Sequence, residues 1–211
     1  MGNENLTEKL DENELNNDNV VDKQYLINFE KEIKELYEAG KIHSPIHLSG
    51  GNEDQLIEIF KEVKEKDWVF TTWRSHYHAL LKSKDPEWLK NEILEDRSIH
   101  TNSSKYKVFS SAIVGGILPI ALGTAMGIKR KKSNEHVWCF VGCMTSEMGS
   151  FSECTKYAGG NDLPITFVIE DNGIGVYTPT KEVWKKGIPN IIKYEYERVY
   201  PHYGIGKWVD F

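Results

Sequence analysis

Apolar residues recur at helical spacing in "YLINFEKEIKELYEAG", where Tyr25, Phe29, Ile33, Leu36 and Tyr37 share one stripe and Gly40 ends it. The spacing predicts a helix with one buried face. "HLSGGNEDQLIEIFKEV" predicts a loop and then a helix, with Leu56, Ile57, Phe60 and Val63 on its apolar side. Asn52 and Gln55 have the spacing of a capping box at its start. "DWVFTTW", residues 67–73, is a short apolar run rich in β-formers and predicts a buried strand. Two helical pieces follow, "HYHALLKS" and "PEWLKNEILED", with Pro86 suited to the first turn of the second.

In the middle of the chain, "SSAIVGGILPIALGTAMGIKRKK" is rich in Gly and Ala and apolar nearly all round. That pattern predicts a buried helix that its neighbours approach closely. "HVWCFVG" (136–142) reads as a strand, "SFSECTKYAGG" as a short helix ending at Gly159, and "LPITFVIEDN" (163–172) as a second apolar strand. Strand, loop, helix and strand form a right-handed βαβ unit with a parallel sheet covered on both faces. "NIIKYEYERVYPHYGIGKWVDF" is expected to add one more strand near its end. The predicted fold class is α/β, a three-layer sandwich around a mostly parallel sheet. In such sheets ligands bind beyond the carboxyl ends of the strands. "GCMTSEMG" and "EDNGIGV" both fall there, and on neighbouring strands they face each other across one crevice.

Composition narrows the class. The 211 residues are 39% hydrophobic and 27% charged, which suits one soluble domain with a packed core. No apolar run has the length of a membrane span. Residues 1–22 read as a disordered acidic tail, with neither the basic nor the apolar region of a secretory signal, and residues 23–211 as the domain. Net charge is −6, and the cluster "KRKK" at 129–132 suits the negative end of a helix dipole better than a nucleic acid. Cys139, Cys143 and Cys154 lack metal-ligand or disulfide spacing, in keeping with a reducing cytoplasm. Trp184 and Trp208 are expected to pack or to face a partner.

A diphosphate in the crevice needs its charge offset by backbone N–H groups, here at the helix opening near Ser150, or by a hard cation. Mg²⁺ takes oxygen ligands, and Asn172 and the carbonyl of Ile174 are candidates on one loop. The opposite loop has Cys143 where an anionic oxygen is wanted, with Glu147 and Asp171 as further oxygens nearby.

At these two loops the chain resembles the thiamine-diphosphate-dependent enzymes, specifically the alpha subunits of 2-oxoacid dehydrogenases. Their Gly-Asp-Gly followed after an interval by Asn-Asn is matched by Gly142-Cys143-Met144 and Asp171-Asn172, with Gly149 and Glu153 between them. "LPITFVIEDNGIG" looks like the family's "LPxxFxxENNxxG", "TTWRSHYH" like "TxYRxHG", "SAIVGGILPIALGTAMG" like "GIVGxxxPxAxGxAxA" and "PIHLSGGNEDQ" like "CHLYDGQEA". "SIHT" stands where the family has a His-bearing stretch. The likeness runs from about residue 42 to about 180.

The resemblance implies the thiamin-diphosphate-binding fold. Trp73 and Arg74 would contact the diphosphate, the backbone around Ala112 and Val114 the aminopyrimidine, and Gly142, Cys143, Met144 and Thr145 the first loop's side of the cofactor. Cys143, Asn172 and Ile174 would stand at the metal, Mg²⁺ or Mn²⁺, and His47, His76 and His100 on the substrate side. It also implies a beta-type partner with the pyrimidine-binding domain, in an α2β2 heterotetramer, acting on a 2-oxo acid or ketose. Two alternatives accompany this reading: the amino-terminal half of a split transketolase, and a non-catalytic structural or regulatory subunit. The departures are Cys143 for the metal-binding Asp, Met144 for a Gly and Asp171 for an Asn. Family alpha subunits also continue through a His-bearing loop that serves acyl transfer, whereas this sequence ends at Phe211.

Overall fold

The computed structural model describes residues 21–175 and 177–184. Residues 1–20 of the tail predicted over 1–22, the expected strand near residue 211 and Trp208 lie outside them. Helix α1 (Lys23–Glu38) begins where the Asp22 carboxylate accepts the Tyr25 N–H, and it buries Leu26, Phe29 and Ile33. Helix α2 (Glu53–Phe60) stops short of Val63. Strand β1 (Trp68–Thr71) leads into α3 (His76–Ser83) and α4 (Pro86–Leu94), and a single 3-10 turn spans Ser98–His100. Then come β2 (Val108–Ser110), α5 (Ile117–Lys131), β3 (Val137–Gly142), the one-turn α6 (Cys143–Ser146), α7 (Gly149–Gly160) and β4 (Ile165–Glu170). A small hairpin, β5 (Ile174–Gly175) and β6 (Thr178–Pro179), precedes α8 (Thr180–Trp184).

Strands β2, β1, β3 and β4 form one parallel sheet in that order. Alternation along β3 divides the core: Phe140 packs with residues of α1 to α4 on one face, and Cys139 and Val141 with α5 and α7 on the other. The α/β class and the three layers therefore stand as read from the pattern. The chain continues from β3 through α6 and α7 into its neighbour β4, so the loops after these two strands lie side by side.

Four local expectations are corrected. The long apolar segment is not one buried helix. It starts as the end of β2, turns at Gly115 (φ +73°) and becomes helical only at Ile117. Nor are neighbours packed all round α5: Ile120 and Met126 are 45% and 42% exposed, and nothing stands within 4 Å of where a Cβ would sit on Gly123 or Gly127. Strand β4 is the sheet edge among the described residues, and Ile169 is 48% exposed, so the sheet is not covered on both faces there. Asn52 sits at the N-cap of α2 but makes no side-chain cap bond: its Nδ2 donates to Glu170, and its Oδ1, the atom a cap would use, accepts no hydrogen bond among the described residues. The basic cluster does fill the last turn of α5. No helix among the described residues is long and apolar enough to cross a membrane.

Candidate cofactor site

A cleft of about 730 Å³ opens at the carboxyl ends of β1, β3 and β4. Its walls are the loop Leu48–Asn52, the segment Thr72–Arg74 after β1, Gly142–Thr145 after β3, and Glu170–Asn172 with Ile174 and Gly175 after β4. Val114, on the loop before α5, closes one side. This is the crest of the sheet where parallel α/β folds bind ligands.

Cys143 is 5% exposed, and its Sγ faces two oxygens of the loop after β4 and one at the start of α8. Asn172 Oδ1 is 3.7 Å away, the Ile174 carbonyl 3.9 Å and Thr180 Oγ1 3.1 Å. The loop is shaped by two side-chain turns, in which Asp171 Oδ1 accepts the Gly173 N–H and Asn172 Oδ1 the Ile174 N–H. Gly173 has φ +74°, a conformation that favours glycine. Thr180 N–H donates to the Gly173 carbonyl at 2.9 Å, so Ile174 and Pro179 are the non-hydrogen-bonded pair of the hairpin and the Ile174 carbonyl points away from β6. Met144 fills the space beneath Gly175, where an added Cβ would come within 2.8 Å of Met144 Cε. Trp184 Nε1 donates to Met144 Sδ at 3.1 Å, tying α8 to α6.

Charge in the cleft is of both signs. Arg74 is exposed on the wall and makes no ion pair among the described residues. Glu170, at the end of β4, accepts from Asn52 Nδ2 at 3.0 Å and lies 3.4 Å from His78 Nε2, a close contact without hydrogen-bond geometry. Burial alone would push the Glu170 carboxyl up, but His78, the Asn52 amide and Arg74 together hold it below the usual carboxylate range. His78 is itself buried edge-on against Phe140 and Phe60.

Behind the wall, two buried carboxylates hold the loop before α2. Glu30 accepts the Ser49 N–H at 3.0 Å, and Glu53 accepts the Gly51 N–H and the Tyr77 hydroxyl. Burial and the Glu53 carboxylate raise the Tyr77 hydroxyl well above its ordinary range. His76 belongs to this support: it is fully buried, with Nδ1 3.3 Å from Glu30 and Nε2 2.8 Å from Ser98 Oγ.

Of the residues singled out from sequence, Trp73, Arg74, Val114, Gly142, Cys143, Met144, Thr145, Asn172 and Ile174 line the one cleft. Ala112 is half-buried next to it and is not among the lining residues. His47 flanks the wall with its ring edge-on to Trp73, 6.0 Å between centroids, and burial, then Arg74 and His76, lower its pKa. His76 lies behind the wall, and His100 is exposed outside the cleft. Neither Glu147 nor Ser150 at the start of α7 is in the lining; the turn next to the cleft is α6. Sequence reasoning missed Glu170, Asn52 as its partner, and Thr180. A carboxylate ending an apolar strand was a readable signal for the first; nothing in the spacing marks Thr180.

The site is thus a cofactor-type cleft at the crest of a parallel sheet, with a cation on one wall and two polar loops converging on the other. Residues 21–187 match the model of the dehydrogenase E1 component family, and the chain belongs to that family. Among curated relatives, the alpha subunit of acetoin:2,6-dichlorophenolindophenol oxidoreductase from Bacillus subtilis is 29% identical, over 72% of this chain and 48% of its own length. The chloroplastic pyruvate dehydrogenase E1 component subunit alpha-3 of Arabidopsis thaliana is also 29% identical, over 75% and 42%. The pyruvate dehydrogenase E1 component subunit alpha of Rickettsia prowazekii is 27% identical, over 75% and 54%. All three are alpha subunits, and the chain spans about half their length.

Proposed function

We propose that this chain is an alpha-type subunit of a thiamine-diphosphate-dependent enzyme that acts on a 2-oxo acid or ketose with acyl or ketol transfer, and that it holds the diphosphate side of the cofactor. The observation that carries this reading is the Arg74 guanidinium, exposed and without an ion pair among the described residues, on the wall of a cleft whose other wall is the Gly142–Thr145 and Asn172–Ile174 loop pair. An unpaired guanidinium suits a phosphate, which it can grip through two parallel N–H bonds. Trp73 offers a flat apolar face beside it, steadied by His47. When bound, thiamine diphosphate supplies a nucleophilic ring carbon and an electron sink for cleavage next to a carbonyl. The chain's own part is to anchor the anion, to hold the Ser49–Gly51 loop through Glu30 and Glu53, and to position charge. His47, packed edge-on to Trp73 beside the cleft, is the candidate for a substrate contact, and His76 is a positioning residue.

The metal position is a poorer match. Asn172 and Ile174 present oxygens that suit Mg²⁺ or Mn²⁺, but the third group is the Cys143 thiol and none of the facing atoms is a carboxylate oxygen. Magnesium favours hard, often anionic oxygen, so this donor set does not fit it. The same fact supports a second reading, a non-catalytic subunit that keeps the fold. A beta-type subunit would supply the pyrimidine-side domain in an α2β2 assembly, and the free, buried cysteines favour a cytoplasmic setting.

Calorimetric titration of thiamine diphosphate into the chain with its beta-type partner tests the proposal. Saturable binding that weakens in Arg74→Ala supports it, and binding unaffected by that change removes its main support.

A further inference from the structure

Helix α5 breaks a rule that α1 follows. The outward side of α1 carries Lys31, Glu32, Lys34 and Glu35, as a helix face in water should. From Ile117 to Ile128 α5 has no charged residue, yet it buries only one side, with Ile117, Leu118, Ala121, Ala125 and Ile128. Its other side presents Pro119, Ile120, Gly123, Met126 and Gly127, the first four of them exposed. Thr124, the one polar side chain in this stretch, donates its hydroxyl to the Ile120 carbonyl of its own helix at 2.9 Å. Among the described residues nothing stands within 4 Å of a Cβ added to Gly123 or Gly127. A helix that is apolar all round belongs in an interior, so this open face is built to be covered.

We infer that the outward face of α5 is an interface with a second copy of this chain, the two helices antiparallel about a twofold axis that passes Gly123 at right angles to them. Gly123 stands beside the midpoint of α5 and at the centre of the open face, so the two backbones approach most closely there. At about 100° per residue, Ile120 and Gly127 fall to one side of Gly123, and Pro119 and Met126 to the other. Reversing one helix against the other brings each Ile120 over the opposite Gly127, a large side chain over a gap, and each Pro119 against the opposite Met126. Such matching of a surface with itself is what a twofold contact demands. Charge agrees. Helices α5 and α7 run side by side in the same direction: a Cβ on Gly115 would stand 3.6 Å from Ser150 Oγ at one end, and Lys129 Nζ donates to the Asn161 carbonyl at the other. Glu147 and Glu153 are exposed toward the first end, and Arg130, Lys131 and Lys132 at the second. An antiparallel pair sets the basic end of each copy toward the acidic end of the other, whereas a parallel pair would set like charge on like. The inference goes beyond the proposed function and does not rest on cofactor binding.

The test is sedimentation equilibrium of the full chain without cofactor, alone and with its beta-type partner, beside mild oxidation of Gly123→Cys. The expected result is a particle that holds two copies of this chain. Gly123→Cys should cross-link copy to copy, because the two backbones meet within disulfide reach and Cys139, Cys143 and Cys154 are buried. Gly123→Leu should weaken the pairing by about 30-fold or more, as for a contact at the centre of an interface. That variant should keep the circular dichroism of the folded chain, since Leu favours a helix and no described residue stands in its way. One copy per particle in both samples would overturn the inference, and this outcome needs no variant. So would a Gly123→Cys chain that links only to the beta-type subunit or not at all, or a Gly123→Leu chain that pairs as tightly as the unaltered one. Two linked copies without any thiamine diphosphate binding would uphold the interface and sink the proposed function. One copy per particle with the cofactor bound would do the reverse.

Discussion

Asn52 and Glu170 lie far apart in sequence and meet across the cleft through one hydrogen bond of 3.0 Å. The spacing of Asn52 and Gln55 points to a cap, yet the Asn52 amide turns to a carboxylate that only the folded sheet brings near it. Local pattern cannot carry such a partner. Because the Glu170 carboxyl sits below its ordinary value of 4.5 in the fold, it contributes stability that is present above that pH and is lost as the pH falls through the lower folded value. The melting-temperature gap between the unaltered protein and Glu170→Gln is therefore expected to be level above about pH 5 and to shrink at lower pH. A gap that widens in acid would refute the assignment. Asp85 is a simpler case: its carboxylate accepts the Trp88 N–H at 3.0 Å at the start of α4, next to the Pro86 that sequence placed in the first turn. Asp85→Ala should cost about 1 kcal/mol in denaturant unfolding.

At the scale of elements, period and length decided what was legible. Helices α1, α3 and α4 and strands β1, β3 and β4 are long or regular enough to show their spacing, and they form where the pattern places them. Strand β2 has three residues, too few to alternate visibly, and it merges in sequence with the apolar run of α5. What separates them is the bend and turn over 112–116, in which Gly115 takes φ +73° and its missing side chain leaves room for Met148. A Cβ there would stand 3.0 Å from Met148 Cε in a conformation that L residues rarely adopt. Gly115→Ala is expected to destabilise the domain by more than about 1 kcal/mol in thermal or denaturant melts. Wild-type stability in that variant would mean the turn is placed wrongly. Helix α5 misled for another reason: Gly and Ala at helical spacing look the same whether a neighbour packs on them or not.

Over the whole molecule, the cleft was legible because topology brings its parts together: loops that follow adjacent parallel strands must share one crest. Trp73, Arg74 and the two loops could be named in advance on that ground. The buried supports could not: Glu30 and Glu53 read as ordinary helix residues, and His76, singled out for the substrate side, is buried behind the wall once the helices pack over the sheet. Membership of the dehydrogenase E1 component family fixes the context in which the cleft is read. The proposed function has Arg74 and the paired loops bind the diphosphate of thiamine diphosphate. Its most direct test is the calorimetric titration of the cofactor into the chain and its beta-type partner, run in parallel with Mg²⁺ and Mn²⁺. One cofactor per chain is expected, with affinity falling about 10- to 100-fold in Arg74→Ala, as for a lost charged hydrogen bond of about 1.5–3 kcal/mol. No saturable heat with either ion would contradict the account.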